Sequence, residues 1–133
     1  APSVFNFFSP NYKHPGPIAA NGLVAPEFQI TTETTVAGSL NFFVDTINQG
    51  GYGWGDRELK FSFTPYTDAA GDPAQLVGRI NTIFFTNQMS ASTRSRMLTM
   101  LQAMPADDDW SKQQRVRAAL TLAFVSPDFV VQK

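Results

Sequence analysis

Residues 72–87 read DPAQLVGRINTIFFTN and carry the clearest helix signal in the chain. Asp72 is a typical helix cap, Pro73 suits the first helical position, and Gln75 can reach back to the cap. Apolar side chains then recur at helical spacing, namely Leu76, Val77, Ile80, Ile83 and Phe84. We therefore predict a helix over 72–87 that buries this stripe.

Two more helices are predicted on the C-terminal side of this segment. Ser90 is a capping residue that starts the first, over 90–104, and Pro105 stops it. Asp107–Asp109 open the second, over 109–125, and Ser126-Pro127 closes it because a residue before proline avoids helical torsion angles. The predicted inward-facing side chains are Met97, Leu98, Leu101 and Met104, then Trp110, Val116, Leu120, Ala123 and Phe124.

A fourth helix is predicted over 26–48. Pro26 suits a first helical position, and Glu27 lies in the first turn, where the helix dipole favours an anion. The β-branched run at 30–35 weakens the first half of this helix, and the glycines after Gln49 end it. Its buried stripe is Val36, Leu40, Phe43, Val44 and Ile47.

Residues 1–25 contain so many prolines and glycines that a long helix is excluded. A short helical turn fits Pro17–Asn21, closed by Gly22. Aromatic residues crowd this segment, and leaving such a ring in water forgoes roughly 1.5–3 kcal/mol. We expect an aromatic arm that packs on the helices through Phe5, Phe7, Phe8, Tyr12 and Phe28.

The stretch 49–71 is rich in glycine and contains one alternating segment, Leu59-Lys60-Phe61-Ser62-Phe63. Such alternation is typical of a strand. Because no convincing partner strand is apparent, an extended segment lying across the helices is favoured. Together these segments predict a mainly α fold: a single domain over 1–133, built as an irregular four-helix bundle with a long aromatic N-terminal arm and a Gly-rich loop.

The composition excludes several classes of function. Ten basic and eleven acidic residues give a net charge of −1, so no strong positive field attracts nucleic acid or an anionic bilayer. No apolar run approaches the roughly 18 residues of a membrane-spanning helix. Cysteine is absent, which excludes disulfides, thiolate nucleophiles and sulfur metal sites.

No catalytic, cofactor-binding or metal-binding residue is predicted. His14 has no assignable triad partners and is interpreted as a surface or packing histidine. Asp107–Asp109 lack the spaced pattern of a calcium loop, so a helix cap is favoured over a metal site. No pair suited to hydrolysis stands out among the other carboxylates, which include Asp45, Asp56, Glu58 and Asp68. These residues leave open whether the chain is an enzyme.

Two sets of side chains are candidate contacts for a ligand or a partner. Tyr52 and Trp54 could stack on a sugar, although a hinge-like connector whose rings plug the bundle is the favoured interpretation. Basic side chains are predicted on the outer faces of the last two helices, either as a solvated surface or as a docking surface for an acidic partner. This basic set is Arg94, Arg96, Lys112, Arg115 and Arg117. The candidate contact residues are Tyr52, Trp54, Arg94, Arg115 and Arg117.

Both ends of the chain contain distinctive motifs. They are SVFNFFSPNY at residues 3–12, GLVAPEFQI at 22–30, RVRAAL at 115–120 and SPDFVVQ at 126–132. These motifs resemble the C-terminal region of the bacterial domain-of-unknown-function-1800 family, and the middle of the chain resembles it more loosely through Asp72-Pro73 and Met89-Ser90. The resemblance implies a mostly helical, exported protein in the periplasm or outside the cell, of which this chain is a C-terminal fragment. It implies no chemistry, because the family's activity is unassigned.

Three functions are compatible with these observations. The favoured one is a helical protein-interaction or scaffold module, whose partner is another protein or the remainder of the parent chain. The first alternative is the C-terminal part of a hydrolase with catalytic groups in a missing N-terminal region. The second is a module that binds carbohydrate or the cell envelope through Tyr52 and Trp54.

Overall fold

The chain is mainly α-helical, which confirms the predicted fold class. The computed structural model describes residues 8–130, apart from the side chains of Pro17 and Val130. The predicted packing of Phe5 and Phe7 lies outside these residues. The chain divides after Ser39 into two compact units. None of the helices within 8–130 is long and apolar enough to cross a membrane.

In the first unit, the described part of the chain from residue 8 onward folds back on itself. Gln29 ties the arm together because its side chain accepts a hydrogen bond from Ser9 N and donates one to Ser9 O, both at 3.3 Å. The rings of His14 and Phe28 pack with 5.2 Å between their centroids. The packing of this arm on the later helices stays a prediction. The helical elements of this unit are α1 (Pro17–Ala20), a 3₁₀ helix (Pro26–Ile30) and the start of α2 (Glu33–Gln49).

Helix α2 begins at Glu33, not at Pro26 as the sequence suggested. Thr32 caps it, because Thr32 Oγ1 accepts a hydrogen bond from Thr35 N at 3.2 Å and Thr35 Oγ1 accepts one from Thr32 N at 2.8 Å. This reciprocal pair satisfies N–H groups that a helix start leaves free. The β-branched run therefore supplies the start of the helix rather than its interior.

A short antiparallel hairpin follows α2 and corrects one expectation. The segment 59–63 begins as a strand with a partner, whereas we expected an extended segment without one. The partner strand is two residues long and contains a glycine, which has low strand propensity, so the sequence gives no signal for it. The elements are β1 (Gly51–Tyr52), a 3₁₀ turn (Gly55–Arg57) and β2 (Leu59–Lys60).

Five helices make up the rest of the second unit, namely α3 (Thr64–Thr67), α4 (Pro73–Phe85), α5 (Ala91–Gln102), α6 (Asp109–Phe124) and α7 (Pro127–Val130). The three long ones start at side-chain caps, which satisfy backbone N–H groups that have no partner within the helix. The caps are Asp72 for α4, Ser90 for α5 and Asp108 for α6.

The core of the second unit lies between α4, α5 and α6, which pack on one another. Its fully buried large side chains are Ile47, Leu76, Val77, Ile80, Met97, Leu101 and Val116. Four residues predicted to face inward are exposed instead, namely Val36 and Leu40 on α2, Ile83 on α4 and Trp110 on α6. Val36 and Leu40 are outside because α2 is buried only in its last turn, at Thr46 and Ile47. Ile83 is outside because the last turn of α4 packs through Phe84 and Phe85, and Trp110 is outside because Ser111 is the buried residue in the first turn of α6.

Aromatic contacts fix the C-terminal helix to this core. The ring centroid of Phe129 on α7 lies 4.8 Å from that of Phe124 on α6 and 6.0 Å from that of Phe85 on α4. Asp128 strengthens the same junction, since its Oδ2 accepts a hydrogen bond from Ser90 N at 2.8 Å. Helix α7 therefore closes one end of the bundle in the second unit.

Candidate functional site

Exposed apolar side chains cluster on and beside the hairpin. Trp54 is 88% exposed, Leu59 is 65% exposed and Tyr52 is 56% exposed. Single exposed hydrophobic residues are normal on proteins, but a contiguous group is typical of an interaction site. We call this group the hairpin surface, and it consists of Phe42, Tyr52, Trp54, Leu59 and Phe61.

Strand register places three of these side chains on one face, and Trp54 lies just before the 3₁₀ turn. Tyr52 lies directly opposite Leu59 in the antiparallel pair, so the two side chains share one face of the hairpin. Phe61 follows Leu59 by two positions and continues that face, since side chains alternate along an extended chain. Phe61 N also donates a hydrogen bond to Gly50 O at 2.9 Å, which extends the strand pairing toward α2.

Two glycines allow the two sides of the hairpin to approach each other closely. A Cβ atom at Gly51 would lie 2.1 Å from Leu59 O, a distance that real Cβ atoms do not reach. Gly53 has a φ of +90°, and a Cβ there would lie 2.6 Å from Arg57 O. Because only glycine permits these approaches, Tyr52 between them lies on a closely packed strand, and Trp54 follows directly after Gly53.

Two chains of ring contacts connect the hairpin surface to the core. In the first, Phe42 packs edge-on against Tyr52 at 5.3 Å and contacts Phe43 at 5.6 Å, and the Phe43 ring lies 5.6 Å from Phe124. In the second, Phe61 lies 6.3 Å from Phe63, which packs on the buried cluster. The hairpin surface is thus an outward continuation of the hydrophobic core and is anchored by it.

Charged residues of both signs border the hairpin surface. Lys60 Nζ and Glu58 Oε2 form an ion pair at 3.2 Å. Asp56 and Arg57 are exposed in the 3₁₀ turn, and neither forms an ion pair with another described residue. The border therefore offers one acidic and one basic group that are free to contact a partner.

The favoured interpretation of Tyr52 and Trp54 as rings that plug the bundle is wrong. Both are exposed, Tyr52 on the face of the hairpin that it shares with Leu59 and Trp54 just before the 3₁₀ turn. Phe42, Leu59 and Phe61 were missed as site residues. The sequence did contain a signal for Phe42, because this large ring falls outside the predicted buried stripe of its helix.

The structure separates the three arginines among the candidate contacts. Arg94 is exposed on α5, Arg117 is half-buried on α6, and Arg115 is only 6% exposed. The expectation that Arg115 lies on an outer face is therefore wrong. Residues two positions apart on a helix point to different sides, and Arg115 is the more deeply buried of the two, although Nε of Arg117 is buried as well.

Arg115 holds together segments that are distant in sequence. Its guanidinium donates to Ala70 O at 2.8 Å and also to Met104 O, whereas its Nε is buried without a partner. The carbonyls belong to the turn before α4 and to the end of α5, so one side chain joins both to α6. This arrangement gives Arg115 a role in the fold rather than in partner contact.

The remaining polar candidates serve local structure. Hydrogen bonding by Ser111 holds the pKa of the Asp108 carboxyl below its ordinary value of 3.8. Ser111 N donates to Asp108 Oδ1 at 2.7 Å, and Ser111 Oγ donates to the backbone oxygen of Asp108 at 2.9 Å. Asp108 thus caps α6, in agreement with the preferred interpretation of the aspartate run. His14 packs between Tyr12 and Phe28, and its Nδ1 is buried without a partner. Within residues 8–130, no group of three or more carboxylate or imidazole side chains could hold a metal ion.

Two depressions lie in the second unit. One of about 370 Å³ is found where α5 begins, and Ser92, Thr93, Arg96 and Asp128 are among its lining residues. A shallower one of about 350 Å³ is lined by Asp68, Ala69, Gln75 and Arg79. Beside α4, burial raises the pKa of the Tyr66 phenol, and the charge of Arg79 opposes that rise. Neither depression contains an arrangement of nucleophile, base and orienting group, and the hydrolase alternative stays a prediction.

Comparison with known proteins finds one informative match. The family model described as "Protein of unknown function (DUF1800)" matches residues 1–131, which is nearly the whole chain. No curated protein and no solved structure matches the chain. The family description names no activity, substrate or partner.

Proposed function

The chain belongs to the DUF1800 family of proteins of unknown function, and from that premise we propose that it is a protein-interaction module whose contact surface is the hairpin surface. The observation that carries the proposal is the exposure of Trp54 and Leu59 on a hairpin that is anchored in the core. Binding costs less when the contact residues are already held in place, because little conformational entropy is then lost. Tryptophan and tyrosine are also the residues that most often dominate binding energy at protein interfaces.

The nature of the hairpin face favours a protein over a small polar ligand. Leu59 and Phe61 add aliphatic and aromatic area to the two candidate stacking rings, and charged groups border this area rather than interrupt it. An apolar centre with a polar rim is the usual anatomy of a protein interface. The partner is a separate protein or the remainder of the parent chain.

We also propose that the module works outside the bacterial cytoplasm, in the periplasm or beyond the cell. The support is the resemblance of both chain ends to a family of exported proteins. Fractionation of source cells that carry a tagged chromosomal copy tests this location. Recovery of the tag in the periplasmic or extracellular fraction is expected, and recovery with the cytoplasmic marker contradicts the proposal.

Site-specific photo-crosslinking tests the contact surface. A photoreactive phenylalanine replaces Trp54 in one version of the protein and Trp110 in a control version, because Trp110 is also exposed, at 67%, but lies outside the hairpin. Protein adducts are expected from position 54 and not from position 110. A Leu59→Ser change in the same chain should remove them. Equal labelling from both positions would show that the hairpin surface is not a specific contact.

Carbohydrate or cell-envelope binding is a second candidate, and the 88% exposure of Trp54 favours it. A sugar ring stacks on an exposed indole and shields it from water. Titration with cell-wall glycans should then change Trp54 fluorescence in a Trp110→Phe variant, which retains Trp54 as the only tryptophan. An unchanged emission spectrum across a glycan panel would remove this candidate and leave the protein-interaction proposal standing.

A further inference from the structure

We infer that the partner of the hairpin surface is a second copy of this chain, and that two copies form a two-fold symmetric dimer. The inference rests on the proposed function and assigns its partner. In such a dimer the same patch is used by both copies, so each contact occurs twice. The surface must therefore complement itself in area and in charge.

The area of the hairpin surface suits a dimer. Exposed fractions run from 42% for Phe61 to 88% for Trp54. For side chains of this size the five together leave on the order of 600 Å² of apolar surface in water, the upper end of what a monomer tolerates. A standard interface buries about 800 Å² on each partner. The hairpin surface thus supplies most of the apolar area at the centre of an interface, and the charged residues at its border add further area.

The charges at the border complement themselves. Asp56 and Arg57 are adjacent, exposed and unpaired within the described residues, while Glu58 and Lys60 neutralise each other. A two-fold axis that crosses the interface between Asp56 and Arg57 places Asp56 of each copy opposite Arg57 of the other. Two ion pairs between Asp56 and Arg57 then form across the interface. A partner with a strong net charge of either sign would match only one of the two groups.

The net charge of the chain does not prevent two copies from associating. Its net charge is −1, so two copies repel each other only weakly. The rings of Phe42 and Phe61 also pack on Phe43 and Phe63, which limits their loss of side-chain freedom on contact.

Analytical ultracentrifugation of the 133-residue chain tests the inference. We expect a reversible monomer–dimer equilibrium. Trp54→Ser should weaken dimerisation at least tenfold, while the control Trp110→Ser leaves it unchanged. Circular dichroism of both variants checks that the helices are intact. A wild-type dimer that Trp54→Ser leaves untouched would overturn the assignment of the surface.

Charge exchange in the turn gives a second test that does not disturb the apolar face. Asp56→Arg places two basic groups side by side, and Arg57→Asp places two acidic groups there. Each variant alone should dimerise at least tenfold more weakly than the wild type, and an equimolar mixture should recover the dimer as a mixed species. If the mixture stays monomeric while the wild type dimerises, the two-fold charge pairing is wrong.

The outcomes separate this inference from the function on which it rests. A wild-type chain that stays monomeric into the millimolar range, yet gives adducts with another protein from position 54, overturns the dimer and retains the protein-interaction module. A monomer without specific adducts overturns both. A dimer whose position 54 crosslinks only to a second copy supports both.

Discussion

Gly51 sets the distance between the two strands of the hairpin. Alanine there would place a Cβ atom 2.1 Å from the backbone oxygen of Leu59, so the strands must separate. We predict that Gly51→Ala lowers the free energy of unfolding by about 2 kcal/mol or more, because backbone strain of this kind cannot relax locally. Urea denaturation measures the change.

Gly78→Ala is the matched control for that substitution. Gly78 lies inside α4, and a Cβ there would meet nothing within 4 Å. Alanine should raise stability by roughly 0.5–1 kcal/mol, since glycine is the poorer helix former. A change of the same sign in the free energy of unfolding of both variants would show that the close approach at Gly51 does not determine the stability of the hairpin.

Arg115 joins segments through hydrogen bonds that a lysine cannot reproduce. The planar guanidinium reaches both Ala70 O and Met104 O, whereas an ammonium group is a compact donor on a flexible stem. We predict that Arg115→Lys costs about 2 kcal/mol of unfolding free energy, since a hydrogen bond from a charged group contributes about 1.5–3 kcal/mol. Thermal and urea denaturation measure this loss. Arg94→Lys, at an exposed position, should stay within about 0.5 kcal/mol of the wild type, and an equal loss there would contradict the role assigned to Arg115.

The inward position of Arg115 was beyond sequence reasoning for a physical reason. Its partners are two backbone carbonyls, which every residue possesses, and they lie in segments far from residue 115 in the chain. Nothing in the neighbouring residues distinguishes it from the half-buried Arg117. Tyr52 was misjudged for a related reason, because its place on the hairpin depends on its pairing with Leu59 and not on its own residue type.

Helix α6 begins at a cap, Asp108, that can ionise. Hydrogen bonds from Ser111 hold the pKa of Asp108 below its ordinary value of 3.8. The folded state therefore binds the proton less readily than the unfolded state. The stability that this ionised cap contributes is fully present above the unfolded pKa and is lost as the pH falls through the folded pKa.

Asp108→Asn separates this titration from the geometry of the cap. Asparagine caps a helix about as well as aspartate but does not ionise. We predict that both proteins have similar stability at neutral pH, and that the wild type loses more stability than the variant as the pH falls below 3.8. Urea denaturation at a series of acidic pH values gives the two slopes. Parallel slopes would show that the Asp108 carboxylate is not coupled to folding.

The sequence predicted those helices and caps whose signals lie within a few neighbouring residues. The caps Asp72 and Ser90 lie directly before the first residues of α4 and α5. They could be predicted because a cap and its N–H partner are separated by no more than three residues. The pairing of β1 with β2 was not visible, since it depends on contact between two short segments and on a glycine. The late start of α2 lies between these cases, because Thr32 and Thr35 form a local cap that competed with the proline signal at Pro26.

At the scale of the whole molecule, the family and the mainly helical class followed from the sequence, while the full extent of the hairpin surface did not. Helical periodicity identifies which residues can face a core, but it does not say which apolar residues the core leaves uncovered. Leu59 and Phe61 belong to that remainder. Only the packed arrangement shows that these side chains join Tyr52 and Phe42 in one surface that continues the core outward.

That surface predicts how the stability of the molecule depends on its concentration. If two copies bind through it, the dimer is favoured over the unfolded chain by mass action, and the Tm rises with concentration. For a chain of this size a tenfold increase in protein should raise the Tm by roughly 2–3 °C. Differential scanning calorimetry over a wide concentration range measures the shift. The Trp54→Ser variant should keep one Tm throughout, because its monomer gains nothing from added protein, whereas Trp110→Ser should follow the wild type. A wild-type Tm that does not move with concentration would leave the hairpin rings exposed for some partner other than a second copy.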